Sequence, residues 1–66
     1  MAFWKLPETI YIFEFKTVGT AQAALRQIDE RGYAKPFDTE SRNVVKVGVA
    51  FNTKTRTIEG WQIETR

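Results

Sequence analysis

The eight residues TIYIFEFK at positions 9–16 constrain the fold more than any other stretch of this chain. Ile10, Tyr11, Ile12 and Phe13 follow one another without a polar residue, and Phe15 comes two positions after Phe13. A half-exposed strand alternates apolar with polar, whereas a run that is apolar at both parities suits a central strand covered on both faces. The end of the run breaks the pattern. Glu14 and Lys16 share a parity with Ile10 and Ile12, so two charges close an otherwise apolar face. The fold therefore has to bury both sides of one strand and still deliver a carboxylate and an ammonium to its end.

Downstream of the strand at 9–16, the spacing predicts a helix over about 20–32. Thr20 is a suitable N-cap, and Ala21, Ala24, Leu25 and Ile28 recur at the i, i+3, i+4, i+7 interval of one buried stripe. Gly32 is placed to stop the helix in a left-handed conformation, with Pro36 shortly after it. Asp29, Glu30 and Arg31 fall on the polar side and read as solvated. A polar connection, DTESRN, leads to a second strand over about 43–51. There Val45, Val47, Val49 and Phe51 share one face, and Val44, Lys46, Gly48 and Ala50 share the other. Gly48 in mid-strand reads as a point of close packing. The turn NTKT at 52–55 returns the chain as a third strand over about 56–65, and a bulge near Gly60 would let Ile58, Trp61 and Ile63 all face the core.

The expected fold is α/β (α+β): one domain over 1–66, a βαββ unit with a mixed three-stranded sheet and one helix. A right-handed crossover makes the first two strands parallel, and the hairpin sets the third antiparallel. One helix covers one face only. The strand at 9–16, together with Phe3, Trp4 and Trp61, then requires a second cover, either another copy in a homodimer or the missing half of a parent domain.

Composition narrows the chemistry. A chain of 66 residues is small enough that only about 60% of its unfolded surface is hidden on folding. It has no cysteine and no histidine, which removes disulfides, zinc-finger ligand sets and the commonest nucleophile and base types. Any catalysis must use Asp, Glu, Lys, Arg, Tyr or Gln. No apolar run approaches the roughly 18 residues of a membrane span, and the absence of cysteine fits a cytoplasmic protein. The net charge of +2 comes from scattered basic residues, and the pair Lys54 and Arg56 reads as a solvated hairpin tip.

Taken alone, Glu-x-Lys at a strand end is a common solvated pair. Three segments give it more context: YIFEFK at 11–16, AALRQIDERGYAKPF at 23–37 and VVKVGVAFNTKTRTIEGW at 44–61. Through them the chain resembles the PD-(D/E)XK nuclease superfamily, most closely the C-terminal nuclease-like domains of bacterial proteins with an AAA-type ATPase region ahead of them. The resemblance implies the second half of a restriction-endonuclease-like core and a Mg²⁺-dependent site acting on nucleic acid. Glu14 would be its metal ligand, Lys16 would orient or polarise the attacking water, and Gln27 would support the site from the helix. Tyr33 stands six positions after Gln27, two more than in the Gln-x-x-x-Tyr pattern of relatives.

The family pattern also carries an aspartate on the preceding strand, about a dozen residues before the Glu-x-Lys. Residues 1–8 contain none. One carboxylate leaves Mg²⁺ held mostly by water. The implied function is a truncated or degenerate nuclease-like domain without activity on its own, and the alternative is a non-enzymatic self-association or interaction module using the uncovered sheet face.

Overall fold

A computed structural model describes residues 1–37 and 41–65. The elements are β1 (Ala2–Lys5), β2 (Thr9–Lys16), α1 (Ala21–Glu30), a 3₁₀ turn at Lys35–Phe37, β3 (Asn43–Asn52) and β4 (Thr57–Thr65). They form one four-stranded sheet in the order β1-β2-β3-β4. β2 and β3 run parallel, and β1 and β4 flank them antiparallel. The predicted polar connection at 38–43 lies partly outside the described residues.

The expected three-stranded βαββ sheet is corrected by β1. AFWK is four residues long and sets Phe3 and Trp4 side by side, so neither alternation nor length marks it as a strand. Non-local contacts stabilise it instead. Phe3 pairs with Ile12 in register and meets the Phe37 ring edge-on, with centroids 5.6 Å apart, while the Lys5 ammonium lies 5.4 Å from the same ring centre. Leu6 N donates to Thr9 O at 2.8 Å and closes the turn containing Pro7.

α1 forms where its caps allow. Thr20 Oγ1 accepts from Ala23 N at 3.1 Å, satisfying one free N-terminal donor. At the other end Gly32 has φ +66°, Gly32 N donates to Asp29 O and Tyr33 N donates to Ile28 O, each at 3.1 Å. This is a Schellman closure, and Tyr33 packs onto the core that contains Ile28. A side chain at 32 would be forced into the left-handed region, with its Cβ 3.2 Å from Lys35 Cδ. Gly32→Ala should lower the unfolding free energy by about 1 kcal/mol in urea titration.

α1 covers one side of the sheet. Ala24 and Ile28 from α1 and Ile10, Ile12 and Val44 from the strands are fully buried there. Lys46, on the same side, gives its ammonium to Asp29 at 2.6 Å and lies 4.0 Å from Glu64, so Asp29 is tied to the sheet rather than simply solvated. At the β3–β4 turn Asn52 Oδ1 accepts from Lys54 N and Thr55 N, and Arg56 takes φ +57°.

The other side of the sheet is open. Register places Trp4, Tyr11 and Val45 in one row, Phe13, Val47 and Ile63 in the next, and Phe15, Val49 and Trp61 in a third. The predicted bulge is present between Ala50 and Phe51 opposite Gly60, and it does align Ile58, Trp61 and Ile63. They share the uncovered face rather than the core, and each is more than half exposed. The radius of gyration, 12.1 Å, exceeds the about 11 Å of a compact domain of this length, as a helix on one side of an open sheet requires.

Candidate active site

Glu14 is the one buried charged side chain among the described residues, 6% exposed. Two features of the fold put it there. Its parity in β2 directs it to the α1 side with Ile10 and Ile12, and its partner in β3 is Gly48. A Cβ on Gly48 would stand 2.2 Å from Ala21 O and 2.8 Å from Leu25 N, so α1 rests directly on the backbone at the Glu14–Gly48 row. The close packing read at Gly48 from sequence is what carries the helix over the carboxylate.

The two carboxylate oxygens differ. Oε1 is 3.4 Å from the α-amino group of Met1, whereas Oε2 is buried without a hydrogen-bond partner. An orphaned buried carboxylate oxygen is costly, and such atoms concentrate where an ion or a reaction uses them. Extending the β1–β2 pairing by one step puts Met1 opposite Glu14. β1 is thus the strand that precedes the Glu-x-Lys strand, and the residue facing Glu14 there is a methionine.

Lys16 closes β2 two residues further along the same side, at the C-terminal end of the parallel pair, where open α/β sheets place their ligands. It lines a depression of about 280 Å³ together with Ala23, Arg26, Gln27, Glu30 and Arg31. The structure therefore brings Lys16 and Gln27 together. Gln27 does so through α1, one turn before the cap, and its amide oxygen, in the orientation that satisfies both groups, accepts from Arg31 Nε at 3.1 Å. Arg31 Nη1 donates to the Tyr33 hydroxyl at 3.2 Å.

Arg31 is the residue that sequence reading missed as part of this group. The available signal was its position four residues after Gln27 and two before Tyr33. Its guanidinium is held above its already high ordinary pKa, first by the hydrogen bond and charge interaction with Tyr33, with smaller contributions from the Glu14 and Glu30 carboxylates. It stays a cation at every accessible pH.

As a magnesium site the arrangement is incomplete. Glu14 Oε2 fits one ligand position of a hard divalent cation, but no group of three or more potential ligands occurs among the described residues. The other lone pairs of the ion would need water or carboxylates from elsewhere.

With this geometry in place, comparison with known proteins is decisive for the family. The sequence profile of the PD-(D/E)XK nuclease superfamily matches residues 2–61. This chain belongs to the PD-(D/E)XK nuclease superfamily. The match includes β1, so the strand that sequence reading left out is part of the family segment. The chain is also similar to an uncharacterized protein in the vnfD 5′ region of Azotobacter chroococcum mcd 1, 33% identical over 58 residues. That alignment spans 85% of this chain and 11% of the relative, so the chain corresponds to about a tenth of that protein's length. No solved structure matches it.

Proposed function

We propose that this chain carries the Glu-x-Lys half of a PD-(D/E)XK active site and does not cleave nucleic acid by itself. The observation that carries the reading is the Glu14 carboxylate, buried under α1 with Oε2 unpartnered and Lys16 two residues away on the same side. In this reading Glu14 supplies one anionic ligand, Lys16 holds and polarises the attacking water, and Gln27 fixes the neighbouring guanidinium of Arg31. Mg²⁺, which the family resemblance implies, would supply Lewis-acid chemistry when bound. With one carboxylate from this chain it would bind weakly, and catalysis would require further acidic ligands from outside the chain. The ATPase-linked arrangement implied by the sequence resemblance would account for part of the relative's greater length. In a cleavage assay on DNA and RNA with Mg²⁺ or Mn²⁺, the 66-residue chain should show no activity above Glu14→Ala. Cleavage that depends on Glu14 would contradict this.

A second reading rests on a separate observation, the open sheet face. Trp4, Phe15, Ile58, Trp61 and Ile63 are 52–66% exposed and together present on the order of 600 Å² of apolar surface. That is above what a soluble monomer usually leaves bare and close to the about 800 Å² per partner of a standard interface. Self-association through this face, sheet against sheet, is the non-enzymatic role the geometry supports, with the remainder of a parent domain as the other cover. Sedimentation velocity should find a dimer at tens of micromolar and a monomer for Trp61→Lys. A monodisperse wild-type monomer would remove this reading.

A further inference from the structure

The two edges of the sheet are built differently. β1 has four residues, ends on Lys5, runs on to Pro7 and is backed by the Phe37 ring against Phe3. Shortness, lysine and proline are devices that keep a sheet edge from pairing with another chain. β4 has none of the three. It is nine residues long, no strand lies beyond it among the described residues, and every residue but Gly60 is exposed. Its alternate N–H and C=O groups therefore point outward without a strand partner. The bulge divides this edge in two. Ala50 pairs with Gly60 and Phe51 with Ile58, so Glu59 is the extra residue, and its carboxylate accepts from Asn52 Nδ2 at 2.6 Å. After it, residues 61–65 (WQIET) pair with β3 in unbroken register.

In that regular stretch Trp61, Ile63 and Thr65 lie on the open side, while Gln62 and Glu64, opposite Gly48 and Lys46, lie on the α1 side. A depression of about 340 Å³ runs between Gln62 and Glu64 and the Gln22, Arg26 and Asp29 side chains of α1. Its charges are unevenly matched. Asp29 and Glu64 share the Lys46 ammonium, at 2.6 and 4.0 Å, whereas Arg26 has no ion-pair partner among the described residues.

We infer that β4 is a self-recognition edge: residues 61–65 pair antiparallel with the same residues of a second copy about a two-fold axis at Ile63. The inference uses a different surface from the sheet-against-sheet reading and is independent of the Glu-x-Lys reading. A two-fold axis requires a self-complementary edge, and WQIET is one. Centred on Ile63, the pairing uses the whole regular stretch and stops short of the bulge. On the open side Ile63 meets its own symmetry mate and Trp61 meets Thr65 of the second copy, which covers side chains now 61% and 66% exposed. On the helix side Gln62 faces Glu64 of the second copy, twice by symmetry. There an amide can donate to a carboxylate, no like charges stand opposite, and the incoming carboxylate reaches the depression where Arg26 is unmatched. An unrelated extended peptide would find the same backbone groups without this reciprocal pattern.

The test is nitrogen–proton NMR of the 66-residue chain over a concentration series, with isotope-filtered contacts measured in a mixture of labelled and unlabelled copies. Amide shifts and slowed hydrogen exchange should grow with concentration at residues 61–65, and cross-copy contacts should join Trp61 to Thr65. Gln62→Glu sets a second glutamate opposite Glu64 at both symmetric positions and should weaken association several-fold. Gln62→Lys makes both positions opposite in charge and should strengthen it several-fold. Gln62 is exposed and stands on the helix side, so far-UV circular dichroism of both variants should match wild type and the apolar face is unaltered. Sheet-against-sheet association would therefore be indifferent to them. A chain that stays monomeric at every concentration would overturn the inference. So would concentration-dependent shifts confined to Trp4, Tyr11, Phe13 and Phe15, or Gln62 variants that associate like wild type.

Discussion

Gly48→Ala should lower the unfolding free energy by on the order of 3 kcal/mol, a large share of the total stability of a chain of this length. The added Cβ would meet two backbone atoms of α1, Ala21 O at 2.2 Å and Leu25 N at 2.8 Å, as well as Leu25 Cγ at 3.1 Å. Side chains turn away from such contacts, but a carbonyl and an amide inside a helix do not. Relief requires α1 to rise from the sheet, which opens the layer formed by Ile10, Ile12, Leu25, Ile28 and Val44. A chain of this length has roughly 3–10 kcal/mol of total stability, so there is little margin to absorb the shift. Urea unfolding followed by circular dichroism measures the effect, and Gly60→Ala is its control. Nothing lies within 4 Å of a Cβ built on Gly60. If the two substitutions proved equally mild, the direct seating of α1 on β3 would be wrong.

Glu14→Met should have the opposite sign and raise stability by about 1–3 kcal/mol. A carboxylate with 6% exposure and one orphaned oxygen carries a desolvation penalty that an apolar side chain of similar length does not. Its ion-pair partner, the Met1 amine, lies 3.4 Å from Oε1 on a residue that remains 30% exposed in its side chain, so water can solvate the amine once the carboxylate is gone. A residue that destabilises the fold where it stands is the signature of a site kept for chemistry. Thermal unfolding of wild type and Glu14→Met, compared at one pH, reads the difference. A substantial loss of stability in Glu14→Met would mean that the carboxylate is a structural partner and would weaken the functional reading.

Most of the architecture was legible because local rules and global packing agree. The both-face apolarity of 9–16, the Thr20 cap, the Gly32 stop and the alternation of 43–51 each correspond to an element within one or two residues of its observed bounds. β1 was not legible. Four residues with adjacent aromatics carry no periodic signal, and what holds them is pairing to β2 and contact with Phe37, thirty-four positions after Phe3. The Gly60 bulge was foreseen, but its face was not. Ile58, Trp61 and Ile63 were expected to point to the core, and among the described residues no element lies over the side they share. Periodicity assigns residues to a common face without saying which layer lies against it.

The same distinction separates the two halves of the site. Glu14 and Lys16 share a side through strand parity, which follows from sequence alone. Arg31 joins Gln27 and Lys16 only because α1 docks at Gly48 and closes through Gly32, so its place depends on tertiary contact and on a cap geometry. The partial charge accounting of the linear chain likewise hid the cationic rim, since Lys16, Arg26 and Arg31 come from two elements. The structure also places Met1 across from Glu14, on the strand that precedes the Glu-x-Lys.

The central claim is that Glu14 is a cation ligand held in an incomplete site. The most direct measurement is paramagnetic broadening by Mn²⁺ in nitrogen–proton NMR spectra of wild type and Glu14→Met. The account predicts weak, selective broadening of amides at residues 14–16 and 48 in wild type, and its loss in Glu14→Met with the fold intact. Broadening that is unchanged in the variant, or that centres instead on Asp29 and Glu64, would contradict it.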